Sequence, residues 1–171
     1  MATTGTSSGD GSRAAALGVE LVAVHDGLRA ELGRLRATVA AGGDPGRGRS
    51  LGEHCLAFCT ALSAHHTGED EHVFPALERR QPELAGVLAQ LREDHHLIAV
   101  LLAGVEKAVA RLPAAPGEAD RQRFLGEVDG IGAIMESHFR FEERRIVTAL
   151  DAWTGAPVPA ATLFGVPAPP A

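Results

Sequence analysis

Apolar residues recur at steps of three and four along four long segments of the chain. This spacing predicts amphipathic helices whose apolar faces pack against one another. The predicted helices cover approximately residues 13–41, 49–80, 82–112 and 119–152. Short connections join them, so we expect an all-α, up-down-up-down antiparallel four-helix bundle.

Glycine and proline residues mark the ends of the predicted helices. Gly42–Gly46 follows the first helix, and Pro82 is expected in the first turn of the third. Pro75 lies inside the second helix, where it removes a backbone hydrogen bond and clashes with the carbonyl of Glu71. We therefore expect the second helix to kink or to end soon after this point.

The bundle is predicted to span residues 13–152, and the composition changes on either side of it. Residues 1–12 are rich in Gly, Ser and Thr and are expected to be disordered. Residues 153–171 form a Pro/Ala-rich tail. The tail either extends away from the bundle or covers one end of it through Leu163 and Phe164, and the sequence leaves both alternatives open.

Each predicted helix also places a histidine on its inward face, in register with the apolar residues. The second and fourth helices add a glutamate one turn later, and residues at i and i+4 lie on the same face. Counted from the connecting turns, all of these residues lie within a few ångströms of one level. A buried carboxylate is costly unless a cation compensates its charge, so we predict a metal site. The predicted ligands are His25, His65, Glu69, His95, His138 and Glu142.

The number of ligands favours two metal ions. Four imidazoles, two bridging carboxylates and an oxo or hydroxo bridge leave two positions of a pair of octahedral ions for an exogenous ligand. Imidazole and carboxylate ligands without thiolate suit iron or manganese, and zinc is also possible. We predict two iron ions, with manganese and zinc less favoured, because the ligand set fits the pattern of carboxylate-bridged sites in bundle cores. Cys55 and Cys59 lie one turn apart on one helix and are interpreted as small core residues.

Two further histidines lie close to the predicted site in sequence. His66 is 100° further round the helix than His65 and is an alternative ligand, or a neighbour that hydrogen-bonds the ligands. His72 continues the predicted inward face beyond Glu69 and either supports the ligands or lines a channel, with a core or solvated side chain as the alternative. The following acidic residues are candidates to hydrogen-bond ligand imidazoles, although a solvated helix face explains them equally well: Asp70, Glu71, Glu93 and Asp94.

The chain resembles the hemerythrin-like (HHE cation-binding) family over roughly residues 14–152. The resemblance rests on His25, His65-x-x-x-Glu69, His95, His138-x-x-x-Glu142 and the Glu-Asp-x-x-x-Phe-Pro segment at 69–75. It implies a non-haem di-iron centre inside a four-helix bundle. It also implies chemistry with dioxygen, hydrogen peroxide or nitric oxide, or sensing of iron or oxygen.

The chain departs from the oxygen carriers of that family at two places. The carriers have a further histidine one turn before the ligand on the third helix, where this chain has Leu91. Their last helix ends the motif with His-x-x-x-x-Asp, whereas this chain has His138-x-x-x-Glu142. The resemblance is therefore closer to bacterial members with four histidines and two glutamates, several of which act in oxidative or nitrosative stress.

Two classes of function follow from the resemblance. The first is a di-iron oxidoreductase that decomposes peroxide or nitric oxide and takes electrons from an unknown donor. The alternative is a non-enzymatic protein that binds or senses iron or oxygen. The sequence contains no Tyr, which argues against oxygenase chemistry that needs a tyrosyl radical relay.

Composition and charge exclude other classes. The formal net charge is -6 and basic residues do not cluster, so we expect neither nucleic acid nor an anionic membrane as a partner. No apolar run approaches the roughly 20 residues that span a bilayer. The N-terminus lacks the basic start and apolar middle of a signal peptide, so a cytoplasmic location is expected.

Overall fold

The structure, a computed structural model, describes residues 16–42, 50–113, 116–154 and 158–166. Within these ranges the chain is helical and has no strand, which confirms the all-α prediction. The expected disorder of residues 1–12 falls outside the described residues. The helices are α1 (Leu17–Ala40), α2 (Leu51–Gly68), α3 (Phe74–Arg80), α4 (Ala85–Ala110), α5 (Glu118–Asp151) and α6 (Ala160–Leu163).

Contacts between helices establish the antiparallel packing of the bundle. Gly18 at the start of α1 donates its N–H to Asp151 at the end of α5 (3.0 Å). Arg36, near the other end of α1, pairs with Asp129 in the first half of α5 (2.6 Å). The start of α1 therefore contacts the end of α5, and the end of α1 contacts the first half of α5, so these two helices run antiparallel. The prediction of a helical bundle is confirmed.

The helix boundaries follow the local signals of the sequence. Gly42 has a φ of 96° directly after α1, a conformation that only glycine adopts without strain. Ser50 and Glu53 form a capping box at the start of α2, in which each side chain accepts from the other residue's N–H. Pro82 opens a short 3-10 turn, Pro82–Leu84, before α4, as expected for a proline in a first helical turn.

A π-helical turn, Glu69–Val73, joins α2 to α3 and changes which residues face the core. Its extra residue leaves Pro75 in the first turn of α3, where the missing N–H costs little, and the helix continues to Arg80. The turn rotates the inward face by one position, so Val73 and Phe74 are fully buried and His72 is only half-buried. The predicted inward position of His72 is therefore wrong, because regular helical spacing does not continue past Glu69.

Two apolar clusters fill the bundle, one on each side of a polar layer. The first cluster includes Leu28, Leu32, Cys55, Phe58, Cys59, Leu62, Ile98, Phe124 and Met135. The second cluster includes Leu21, Phe74, Leu77, Leu88, Leu91, Ile146, Trp153, Leu163 and Phe164. The buried cysteines behave as core residues, as interpreted from the sequence. Leu163 and Phe164 return from the tail to this second cluster, and both are buried.

Candidate metal centre

The predicted ligands all lie in the buried layer between the two apolar clusters. None of them is more than 4% exposed, and Glu69 and Glu142 are completely buried. Phenylalanine rings wall the layer: Phe139 stacks on His25 with ring centroids 3.8 Å apart, and Phe74 stacks on His95 at 5.3 Å. The predicted meeting of ligands from separate helices at one depth is therefore observed.

The four predicted histidines form two pairs. The Nε2 atom of His25 on α1 lies 3.1 Å from Nε2 of His65 on α2. The Nε2 atom of His95 on α4 likewise lies 3.1 Å from Nε2 of His138 on α5. Each pair joins two helices, so the inward nitrogens of all four helices converge on two neighbouring points.

The two glutamates lie between the histidine pairs. Glu69 places Oε1 3.4 Å from Nε2 of His65 and Oε2 3.5 Å from Nε2 of His95. Glu142 places Oε2 3.4 Å from Nε2 of His25 and 3.6 Å from Nε2 of His138. None of their four carboxylate oxygens has a hydrogen-bond partner within the described part of the chain. Buried oxygens of this kind are costly without a compensating cation, and each carboxylate reaches both pairs.

The outward nitrogens of the same histidines face hydrogen-bond acceptors. Nδ1 of His25 lies 2.8 Å from a carboxylate oxygen of Glu143, and Nδ1 of His95 lies 3.0 Å from Asp70. Nδ1 of His138 lies 3.5 Å from Asp94, and Nδ1 of His65 lies 3.3 Å from the backbone carbonyl of Phe164. Carboxylates and carbonyls only accept, so in their neutral form His25, His65 and His95 carry the hydrogen on Nδ1. Nδ1 of His138 has no hydrogen-bond partner in the described structure.

The position of the ring hydrogen determines whether each inward Nε2 atom is a hydrogen-bond donor or an acceptor. In the His25–His65 pair both Nε2 atoms then hold a lone pair, and the two lone pairs meet across 3.1 Å with no hydrogen between them. In the other pair, Nε2 of His95 presents a lone pair 3.1 Å from Nε2 of His138. Acceptors that face each other at this distance repel unless a cation lies near them. Metal-bound histidines normally donate their second nitrogen to a carboxylate or a carbonyl, and that arrangement is present here.

Burial controls the ionisation of the layer. Desolvation lowers the pKa of His65 to about 3, and it lowers the pKa of His138 as well. Desolvation and the charge of Glu142 raise the pKa of Glu69 well above its usual value. Burial also raises the pKa of Glu142, but contact with His25 and the nearby imidazoles outweighs it, so the net shift is downward. Without a cation only one of the two carboxyl groups ionises readily, whereas a metal ion favours both carboxylates and neutral imidazoles.

His66 belongs to the same layer as His65 and does not compete with it. The ring of His66 stacks on that of His95 with centroids 4.0 Å apart, and its buried Nε2 has no hydrogen-bond partner in the described structure. Burial and the neighbouring histidines lower its pKa well below the usual value. The potential ligand atoms fall into two groups, each within 4.8 Å: His66, His95 and His138, and His25, His65, Glu69 and Glu142.

Sequence reasoning identified some of the supporting groups and missed others. Asp70 and Asp94 were candidates, and they lie 3.0 Å from Nδ1 of His95 and 3.5 Å from Nδ1 of His138. Glu143 was missed, although it bridges Nδ1 of His25 and the guanidinium of Arg29, 3.0 Å away. The carbonyl of Phe164 was missed as well, since backbone groups carry no sequence signal. His72 is in neither ligand group and lines a surface groove instead.

The donor chemistry fits the metals expected from the sequence. Neutral imidazoles and carboxylates without thiolate suit iron, manganese or zinc, and the partnerless oxygens of Glu69 and Glu142 provide the negative charge. A buried layer of such ligands inside an antiparallel bundle defines a metal-binding helical-bundle protein.

Comparison with protein families agrees with this class. The chain matches the model of the hemerythrin HHE cation binding domain over residues 19–150. It therefore belongs to the hemerythrin HHE family, and the match includes every predicted ligand. Searches of curated proteins and of solved structures each found no match. Among the described helices, none combines the length and the apolar character needed to cross a membrane.

Proposed function

We propose that this protein holds two iron ions and binds or reacts with dioxygen, hydrogen peroxide or nitric oxide. The observation that carries the proposal is the convergence of two pairs of Nε2 atoms, each pair 3.1 Å apart, with both buried glutamates reaching both pairs. In a bundle core without a metal, these buried acceptors would have no positively charged partner, and the folded state would lose stability.

The positions of the side chains support unequal ligand sets for the two ions. His25 and His65 would hold one ion, and His66, His95 and His138 would hold the other. Each glutamate lies within reach of both pairs and would bridge the ions. The ion with only two imidazoles has fewer protein ligands, so we infer that the exogenous ligand binds there.

The protein's own residues prepare and protect the layer. The acceptors on Nδ1 orient the imidazoles, and the rings of Phe74 and Phe139 exclude water. When bound, iron supplies the electrons and the open position that reactions with small oxygen or nitrogen species need.

A second candidate function is reversible binding or sensing without turnover. His66 favours it, because this side chain raises the number of imidazoles in the layer from four to five and so reduces the number of open positions. Leu91 stands where oxygen carriers have a fifth histidine, and it is fully buried in the apolar cluster. In this chain the additional imidazole would come from α2 and not from α4.

Elemental analysis and peroxide turnover test the proposal together. Protein purified from cells grown in iron-rich medium should contain two irons per chain, with Mössbauer spectra of a coupled pair. Oxygen evolution over many turnovers after addition of peroxide would support the enzyme, and stoichiometric bleaching would support binding or sensing. Protein that contains no iron and takes up none after reconstitution would contradict the proposal.

A further inference from the structure

The segment Pro159–Val166 packs against the metal layer from outside the helices that supply the ligands. It consists of Pro159, α6 and the three residues after α6, and Leu163 and Phe164 anchor it in the second apolar cluster. The carbonyl oxygen of Phe164 accepts a hydrogen bond from Nδ1 of His65 at 3.3 Å, although the two residues are far apart in sequence. The segment thus supplies the outward hydrogen-bond partner of one ligand.

His65 differs from the other paired histidines in the nature of this partner. His25 and His95 pair with carboxylates at 2.8 and 3.0 Å, and His138 faces a carboxylate at 3.5 Å. Those carboxylates belong to α4, α5 and the π-helical turn between α2 and α3, so they stay in place as long as the bundle is folded. The partner of His65 is a neutral carbonyl whose position depends on how the C-terminal segment packs.

Two glycines allow the segment to approach α2 closely enough for this hydrogen bond. A Cβ atom at Gly165 would lie 1.9 Å from the carbonyl oxygen of Ala64, and Gly165 has a φ of 60°. A Cβ atom at Gly68 would lie 2.7 Å from the carbonyl oxygen of Leu163 and 2.8 Å from the nitrogen of Gly165. The two backbones are in direct contact here, so a side chain at Gly68 or at Gly165 would push the segment away from α2.

We propose that the segment Pro159–Val166 is a positioning element of the metal centre, which holds His65 through the carbonyl of Phe164 and thereby controls occupancy of the ion bound by His25 and His65. This inference rests on the proposed function, because it assigns a role in holding one of the two ions. The second ion, held by His66, His95 and His138, has no ligand in contact with the segment through a hydrogen bond in the described structure. Displacing the segment therefore weakens one ion selectively.

The test uses Gly165→Ala and Gly68→Ala in the full chain, each with a matched control. Gly42→Ala places alanine at another positive φ, 96°, where nothing lies within 4 Å of the new Cβ. Gly104→Ala changes an exposed helical glycine that also has nothing within 4 Å. The controls reproduce the backbone effects of the substitutions without moving the segment.

The first measurement is iron titration of the four variants and the wild type, followed by Mössbauer spectroscopy. We expect Gly165→Ala and Gly68→Ala to weaken one ion by about 10–100-fold, the range typical for loss of a ligand's outer partner. The other ion and both controls should keep wild-type affinity. Equal weakening of both ions, or wild-type affinity and spectra for both, would overturn the inference.

The second measurement needs no metal. Long-range 1H–15N spectra of the metal-free protein report the tautomer of each histidine, and wild-type His65 should carry its hydrogen on Nδ1. The alanine variants at Gly165 and Gly68 should shift that tautomer and leave His95 unchanged. An unchanged His65 tautomer, or global unfolding of these variants by circular dichroism, would contradict the role. If the wild type binds no iron, the proposed function fails, but these spectra still decide whether the segment positions His65.

Discussion

His65 and His66 are adjacent in sequence, yet their side chains join different histidine pairs. Nε2 of His65 lies 3.1 Å from Nε2 of His25, whereas the ring of His66 stacks on His95 with centroids 4.0 Å apart. Consecutive helical side chains point about 100° apart, and the side chains of His65 and His66 are both buried in the layer. A single helix therefore serves both halves of the candidate metal centre.

Substitution of His66 tests the unequal ligand sets. His66→Phe keeps a planar ring against His95 but removes the nitrogen, so we expect one of the two irons to bind at least tenfold more weakly. Iron titration and Mössbauer spectra measure the loss. His72→Phe is the matched control, because His72 lies six residues further along the chain in a surface groove and should leave both irons bound. Equal iron binding by the two variants would show that His66 is not a ligand.

Replacement of His95 separates a metal site from a tolerated polar core. His95→Leu should lower iron content and also the melting temperature of the iron-loaded protein, since metal binding contributes to folding stability. In the metal-free protein the same change removes a buried polar ring and should raise the melting temperature. Differential scanning calorimetry with and without iron measures both effects. A variant that is more stable than wild type under both conditions would argue against a metal at His95.

The outward partner of His25 should influence iron affinity without touching the metal. Glu143 accepts from Nδ1 of His25 at 2.8 Å, and we expect Glu143→Gln to weaken iron binding by about tenfold. Glu136→Gln is the matched control, because Glu136 pairs with the same Arg29 at 2.7 Å and, within the described residues, pairs with no histidine of the layer. Isothermal titration under anaerobic conditions compares the two. A similar loss in both variants would assign the effect to Arg29 and its ion pairs.

The metal-free protein should lose stability as the pH falls below about 7. The folded-state pKa of His65 is about 3, below the ordinary value of 6.5, so protons bind more tightly to its unfolded state. Its contribution is complete above the unfolded pKa and disappears as the pH falls through the folded pKa. His66 and His138 act in the same direction, and Glu69, whose pKa is raised, opposes them.

Urea unfolding of the chelated protein at about pH 7 and about pH 5.5 measures this dependence. The proton linkage of His65 alone amounts to about 1 kcal/mol across that interval. His65→Gln should therefore lose about 1 kcal/mol less than the wild type between the two pH values. If both proteins lost the same free energy of unfolding, a neutral buried His65 would be ruled out.

Much of the candidate site could be predicted because it depends on spacing within helices. Steps of three and four residues place His65 and Glu69 on one inward face, and the same holds for His138 and Glu142. The lengths of the predicted helices then bring these residues to one level, as the structure shows. All six predicted ligands are buried, and the family match covers all of them.

Other features depend on how the helices are rotated and where the chain returns. The π-helical turn at Glu69–Val73 adds one residue and removes His72 from the core, which no periodic pattern anticipates. The same limit applies to Glu143, whose role depends on the rotation of α5 against α1.

The sequence alone determined the helical class and the inward-facing position of the candidate ligands, because helical periodicity places regularly spaced residues on one face. Only the tertiary structure decided that His66 joins the layer, that Glu143 supports His25 and that the carbonyl of Phe164 supports His65. These contacts join atoms from separate elements, and their distances follow from helix rotation, one inserted residue and the close approach that Gly68 and Gly165 permit.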